Sequence, residues 1–122
     1  MPTLRAIEAK AFIPARDYAQ SKQFYADVGF TLASDGDGVA YFHCDSAAFL
    51  LQDFYDANLA KGLTMHLLVE DVDAWRQAMF TAGIPAKYGT PVSDVVQQPW
   101  RMRDFTFVDP SGVEWIVAQN TD

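Results

Sequence analysis

The sequence contains one cysteine, two histidines, and only 9 lysine and arginine residues against 16 aspartate and glutamate residues. Cys44 has no partner for a disulfide within the chain, so nothing in the composition indicates an oxidising compartment. No stretch approaches the roughly 20 apolar residues that a membrane-spanning helix needs. Arg5, Glu8 and Lys10 interrupt the N-terminal segment. These absences predict a cytoplasmic protein without a targeting segment.

The scarcity of basic residues also restricts the partners of the protein. The formal net charge is −7 and the isoelectric point is about 4.5. An acidic surface repels nucleic acid and anionic membranes and attracts cationic small molecules. We therefore expect neither a nucleic acid nor a membrane as partner, and a small molecule as ligand.

The composition is sufficient for a packed core. Half of the 122 residues are hydrophobic and 14% are aromatic, which argues against disorder. The length fits one domain, which we expect to cover residues 1–122.

The chain repeats itself as two pseudo-repeats, at about residues 5–56 and 62–120. Matching residues lie 54 positions apart: Asp17 and Asp71, Gly29 and Gly83, Phe30 and Ile84. Each copy has the pattern of a strand, an acidic helix cap, a helix ended by glycine, and further strands. A unit of about 55 residues is near the lower limit for folding alone, so the copies are expected to share one core and one cleft.

Periodicity predicts the elements of the first copy. Asp17 is placed to cap a helix that Gly29 ends. The run S-D-G-D-G at residues 34–38 predicts a hairpin turn. The predicted elements are a strand at 7–15, a helix at 18–28, a strand that begins at Phe30, and strands at 39–43 and 47–53.

The second copy follows a linking segment at residues 54–62. Asp71 is placed to cap its helix, and the sequence D-P-S-G at 109–112 predicts a turn between two strands. The predicted elements are a strand at 64–70, a helix at 73–82, a short strand and a loop within 85–98, and strands at 105–108 and 113–118.

Three motifs resemble the vicinal oxygen chelate superfamily over nearly the whole chain. They are D-Y-A-Q-S-K-Q-F-Y-A-D-V-G-F, V-E-D-V-D-A-W and Q-P-W-R-M-R-D-F-T-F-V-D-P-S-G. This group includes glyoxalase I, extradiol dioxygenases, and fosfomycin- and bleomycin-resistance proteins. The Q-P-W motif, followed by D-P, is similar to the bleomycin-resistance branch. The chain departs from that branch at Arg101, where glycine is usual, and at Val113, where asparagine is usual.

The resemblance implies an α+β fold in which two βαβββ modules form a curved mixed sheet around a cleft. It also implies a homodimer, with modules exchanged between subunits and a ligand groove at each interface.

Metal-dependent members of the superfamily hold a divalent cation with four side chains. The corresponding positions here are Lys10, Gln52, Thr64 and Ile116. A protonated lysine and an isoleucine have no lone pair to donate, and the other two are weak neutral ligands. We therefore expect no metal, no cofactor and no catalytic residue. Whether the protein is an enzyme stays open, and the chemistry of these four positions argues against it.

The ligand-binding residues are instead predicted on the concave surface. Trp100, from the Q-P-W motif, offers an indole face for stacking. Phe12 and His66 are equivalent positions of the two copies. The full predicted set is Trp100, His66, Phe12, Gln52, Leu50, Thr64, Lys10 and Ile116.

Lys10 complicates this interpretation, because a lysine in the cleft repels a cationic ligand unless an acid neutralises it. Asp53, Asp56 and Asp104 are candidates for that compensation. Without compensation, Lys10 favours an anionic ligand.

The leading hypothesis is a metal-independent binding protein that sequesters a cationic or aromatic ligand, either a bleomycin-like drug or an unknown metabolite. The alternative is a vicinal-oxygen-chelate enzyme of lyase, isomerase or dioxygenase type, with an atypical metal or with Lys10 and His66 as acid–base groups. A dimer without ligand is the third hypothesis.

Overall fold

The computed structural model describes residues 3–122. No helix in this range is long and apolar enough to cross a membrane. In chain order the elements are β1 Phe12–Pro14, α1 Tyr18–Val28, β2 Thr31–Gly36, β3 Val39–Cys44, β4 Ala47–Gln52, α2 Ala57–Gly62, β5 Thr64–Leu68, α3 Val72–Thr81, α4 Ile84–Tyr88, β6 Val96–Gln98, β7 Met102–Val108 and β8 Glu114–Asn120.

Each half of the chain forms one four-stranded mixed sheet. The strand orders are β1-β4-β3-β2 and β5-β8-β7-β6, so the two halves have the same topology. In each sheet the first strand pairs in parallel with the last, and the remaining pairs are antiparallel. This confirms the predicted α+β fold of two modules, with the strands divided between two sheets.

The predicted helix caps are also present. Asp17 accepts a hydrogen bond from the backbone N–H of Gln20, and Asp71 accepts one from Ala74. Gly29 ends α1 with a φ of 126°, a conformation that residues with a Cβ rarely adopt. These local signals place α1 at the predicted residues and α3 within one residue of its prediction at each end.

The strand predicted at residues 7–15 is much shorter. Only Phe12–Pro14 forms a strand, paired with β4 at the edge of its sheet. Ala11 still accepts a 3.0 Å hydrogen bond from the N–H of Leu50. Residues 3–10 form no strand, and Leu4 and Ile7 are 94% and 99% exposed. The alternating pattern at residues 7–15 therefore predicted a longer strand than the chain forms, because most of this segment has no neighbouring strand in the same chain.

The segment at residues 54–62, predicted as a simple link, contains helix α2. Its cap is Asp56, whose side chain accepts hydrogen bonds from the N–H groups of Asn58 and Leu59. An aspartate cap satisfies donors that a helix start leaves without a partner, which allows even a six-residue helix to form.

The repeat diverges after Gly83. Ile84 begins the short helix α4, whereas the equivalent Phe30 leads into strand β2, so the strand predicted near residue 85 is wrong. Pro85 lies in the first turn of α4, where the missing N–H of proline is not needed and its fixed φ favours a helix. Strand β6 forms later, within the predicted loop.

The inner faces of both sheets contribute to one core. The rings of Phe49, from the first sheet, and Trp115, from the second, lie 5.4 Å apart between centroids. Tyr25 of α1 contacts both rings, at 4.7 Å and 5.8 Å. Trp115 is buried, as expected for a residue that faces the helices. The shared core directs the other face of each sheet outward.

Candidate functional site

The outward face of the first sheet carries three of the predicted residues, with Tyr41 beside them. Side chains alternate along a strand, and Ile13 and Leu51 point into the core. Phe12, Leu50 and Gln52 therefore point outward, and Tyr41 lies beside Leu50 on the next strand.

The outward face of the second sheet carries the predicted residues of the second half. Leu67 and Trp115 are buried, so their neighbours Thr64, His66 and Ile116 point the other way. His66 and Ile116 are paired across β5 and β8.

Six of the eight predicted residues thus form two groups on different sheets. Because the inner faces pack on one shared core, the two outward faces point away from it in different directions. One chain alone does not bring Phe12, Leu50 and Gln52 together with Thr64, His66 and Ile116.

Trp100 lies in the turn that joins β6 to β7, and 62% of its surface is exposed. The next residue, Arg101, has a φ of 62°. This left-handed conformation favours glycine, which explains why glycine is usual at this position in the bleomycin-resistance branch. Arg101 preserves the turn geometry at a cost of about 1 kcal/mol. The departure from the motif therefore leaves the exposed indole of Trp100 in place.

The positive charge of Lys10 is neutralised by Glu8, which was not among the three acids predicted to compensate it. Nζ of Lys10 donates a 2.6 Å hydrogen bond to Oε1 of Glu8. The Tyr41 hydroxyl donates to both oxygens of the same carboxylate, at 3.0 Å and 2.9 Å. Hydrogen bonds from Lys10 and Tyr41 lower the pKa of Glu8, and the bond to Glu8 raises the pKa of Lys10. Both groups are therefore charged at neutral pH, and the pair adds no net charge.

A signal for Glu8 was present in the sequence. Glu8, Lys10 and Phe12 are spaced by two residues, the spacing that places side chains on one side of an extended chain. The contact with Tyr41, 33 residues away, depends on the strand register and is not visible in the sequence.

Within residues 3–122, none of the three acids predicted to compensate Lys10 forms an ion pair or a hydrogen bond with it. Asp53 is exposed, and Asp56 caps α2. Asp104 is buried on the second sheet, where Gln98 donates a 3.0 Å hydrogen bond to its Oδ1.

The residues at the four metal-ligand positions do not fit a divalent cation. The ammonium of Lys10 is occupied by Glu8, and Ile116 has no donor atom. Within residues 3–122, no group of three or more histidine, cysteine, aspartate or glutamate side chains is arranged to hold a metal ion.

Two partly open clefts contain few or none of the predicted residues. A cavity of about 440 Å³ is lined by Cys44, Glu70, Asp71 and Trp75 among others. A second, of about 270 Å³, includes His66 but none of the other predicted residues. The candidate site is therefore the pair of open sheet faces.

Comparisons with known proteins agree with the family resemblance and with the fold. A family profile described as "Glyoxalase/Bleomycin resistance protein/Dioxygenase superfamily" matches residues 8–117. No curated protein matches the sequence.

Solved structures share the fold at low sequence identity. A bleomycin-binding protein complexed with bleomycin is 21% identical, with a TM-score of 0.79 over 93% of this chain and 98% of that one. An antibiotic-binding protein from Streptomyces is 23% identical, with a TM-score of 0.76 over 98% and 100%. A lactoylglutathione lyase from Agrobacterium tumefaciens is 18% identical, with a TM-score of 0.68 over 94% and 95%.

Proposed function

Because this chain belongs to the glyoxalase/bleomycin resistance protein/dioxygenase superfamily, we propose that it binds a small cationic or aromatic molecule without a metal and acts by sequestration. The groove that binds the ligand lies between two copies of the chain. The molecule is of the bleomycin type or is a metabolite of similar chemistry.

The observation that carries the proposal is the chemistry of the outward faces. They combine exposed aromatic and aliphatic side chains with a few amide and hydroxyl groups, the composition of a site that binds by stacking and hydrogen bonding. Trp100 and Phe12 are 62% and 52% exposed. Lys10 and Ile116 occupy positions where a catalytic metal needs lone pairs.

The Glu8–Lys10 pair supports a cationic ligand. A free lysine on this surface repels a cation, but Lys10 is paired with Glu8 at 2.6 Å. The objection that Lys10 raises against a cationic ligand is removed, and the net charge of −7 attracts such a ligand.

The proposed second copy follows from the separation of the two residue groups. A groove that uses Phe12, Leu50 and Gln52 together with Thr64 and His66 requires the first sheet of one copy to face the second sheet of another. The exposed side chains of Leu4 and Ile7 are apolar surface that a partner would remove from water.

An enzymatic alternative that uses Lys10 as a general base is less favoured. A general base must lose its proton near neutral pH, and the hydrogen bond to Glu8 raises the pKa of Lys10.

The test is a calorimetric titration of metal-free bleomycin into protein whose metal content has been measured. We expect binding tighter than about 1 μM, or roughly 8 kcal/mol, at one ligand per chain. Absence of heat with metal-free protein would refute bleomycin as ligand. A stoichiometric metal in the purified protein would favour the enzyme.

A further inference from the structure

Asp104 is a nearly buried carboxylate on the outward face of the second sheet. It pairs with Ala118 on β8 and with Val96 on β6, and 7% of its surface is exposed. Its neighbours along β7, Arg103 and Phe105, point to the opposite face. Arg103 is held there by a bidentate contact with Asp73.

The hydrogen bonds of Asp104 leave one of its oxygens free among residues 3–122. Oδ1 accepts the 3.0 Å bond from Nε2 of Gln98, and no side-chain or backbone donor bonds to Oδ2. In the same range no lysine, arginine or histidine nitrogen lies within 4.0 Å of the carboxylate. Oδ2 is accessible to solvent, because among residues 3–122 the only buried side-chain polar atom without a hydrogen-bond partner is Oγ1 of Thr90.

The hydrogen bond from Gln98 fixes the position of this carboxylate, while only 7% of the residue surface is exposed to water and Oδ2 stays within reach of a ligand. Val96 and Ala118 add apolar surroundings, which strengthen any interaction with an arriving positive charge. A site that holds an uncompensated anion in place before binding is preorganised for a cation.

We propose that Asp104, held in position by Gln98, receives a protonated amine of the ligand while an aromatic ring of the same ligand contacts Trp100. This inference rests on the proposed binding function and specifies the ligand class as an aromatic amine. Gln98 and Met102 form the last pair before the turn that carries Trp100. Asp104 follows Met102 by two residues, or about 7 Å along a strand, so Asp104 lies at the end of β7 that adjoins the turn carrying Trp100.

The test compares two probes that share an indole ring. Tryptamine carries a protonated amine, and tryptophol carries a neutral hydroxyl in its place. Affinities are measured by NMR titration of ¹⁵N-labelled protein at neutral pH. We expect tryptamine to bind about tenfold more tightly, as for a hydrogen bond to a charged group.

The variant Asp104→Asn keeps the shape of the side chain and removes its charge, so the ratio of the two affinities is expected to fall to about one. The matched control is Asp37→Asn, which removes one negative charge from an exposed turn whose φ of 55° asparagine tolerates. A tryptamine preference retained in Asp104→Asn, or lost equally in Asp37→Asn, would overturn the inference.

The wild-type titration gives a second measurement if Asp104→Asn does not fold. Tryptamine should shift the side-chain amide signals of Gln98, and absence of that shift would also overturn the inference. Bleomycin separates this inference from the proposed function. A protein that prefers tryptamine through Asp104 but ignores bleomycin has the amine site without the drug-sequestering role. Bleomycin binding that is unchanged in Asp104→Asn supports sequestration and refutes the amine site.

Discussion

The hydroxyl of Tyr25 in the first half of the chain donates a 2.6 Å hydrogen bond to Oδ2 of Asp109 in the second half. The indole N–H of Trp115 donates to the same Tyr25 oxygen at 2.9 Å. The other carboxylate oxygen of Asp109 accepts hydrogen bonds from the N–H groups of Ser111 and Val113, in the turn before β8. A buried polar network therefore connects α1 to the last hairpin.

Removing this hydroxyl should destabilise the protein. In Tyr25→Phe, both Asp109 and the Trp115 N–H lose a buried partner, so we expect the free energy of unfolding to fall by about 2–3 kcal/mol. Urea denaturation measures the change. The control Tyr55→Phe, at a partly exposed ring without a hydroxyl hydrogen bond among residues 3–122, should change stability by less than about 0.5 kcal/mol. Equal effects in the two variants would contradict the prediction.

The Glu8–Lys10 pair predicts a pH dependence. Hydrogen bonds from Lys10 and Tyr41 lower the pKa of Glu8 in the folded protein. A lowered carboxyl pKa gives stability that is present above the unfolded pKa and is lost as the pH falls through the folded pKa. An NMR titration of the Glu8 carboxyl should therefore give a pKa below its ordinary value, and Lys10→Met should raise it. The control Lys61→Met, on α2, should leave it unchanged. An unshifted Glu8 would exclude the pairing in solution.

Loss of the Trp100 indole should weaken ligand binding with little effect on folding. If the ring stacks on the ligand, Trp100→Ala costs about 1–3 kcal/mol of binding to metal-free bleomycin. Thermal unfolding should change little, because the side chain is largely exposed. Phe54→Ala removes another exposed ring and serves as the control in the same calorimetric titration. Unchanged affinity in Trp100→Ala would remove this residue from the site.

The proposed second copy can be tested through Ile7. Its side chain is exposed in a single chain, and burial of an isoleucine stabilises by about 1.5–3 kcal/mol. Light scattering coupled to gel filtration should give twice the chain mass of 13.6 kDa. Ile7→Ser should shift the equilibrium towards monomer, and Leu59→Ser, at an exposed position of α2, should not. A monomer in the wild type would refute the dimer.

Divalent metal should not stabilise the protein. A ligand that binds only the folded state at 100 times its dissociation constant adds about 2.7 kcal/mol. We expect zinc, nickel and manganese to leave the melting temperature unchanged, because the four positions lack suitable donors. An increase that Thr64→Val abolishes would instead support the enzymatic alternative.

The elements that were predicted correctly are determined by residues that lie close together in the sequence. Asp17, Asp71 and Gly29 act within one helix turn, and their chemistry is visible in the sequence. The missed helix α2 has a clear cap at Asp56 but only six residues, too few for a periodic pattern. The strand predicted near residue 85 was wrong, because Pro85 favours the first turn of a helix and Ile84–Tyr88 forms α4.

The site was predicted less completely, because its contacts join distant segments. Alternation along each strand identified Phe12 and His66 as outward-facing residues, and the structure agrees. It did not show that these residues lie on sheets that point away from a common core. Nor did it show that Glu8 meets Tyr41 or that Gln98 meets Asp104, since both contacts require the strand register.

The buried network around Tyr25 also determines how the chain can be divided. A cut within residues 53–56 would leave one fragment with Tyr25 and the other with Asp109 and Trp115, each holding buried polar atoms that need the other fragment. We expect such fragments to be unfolded apart and to reassemble when co-expressed. Fused to the halves of a reporter, they would convert this reassembly into a complementation signal.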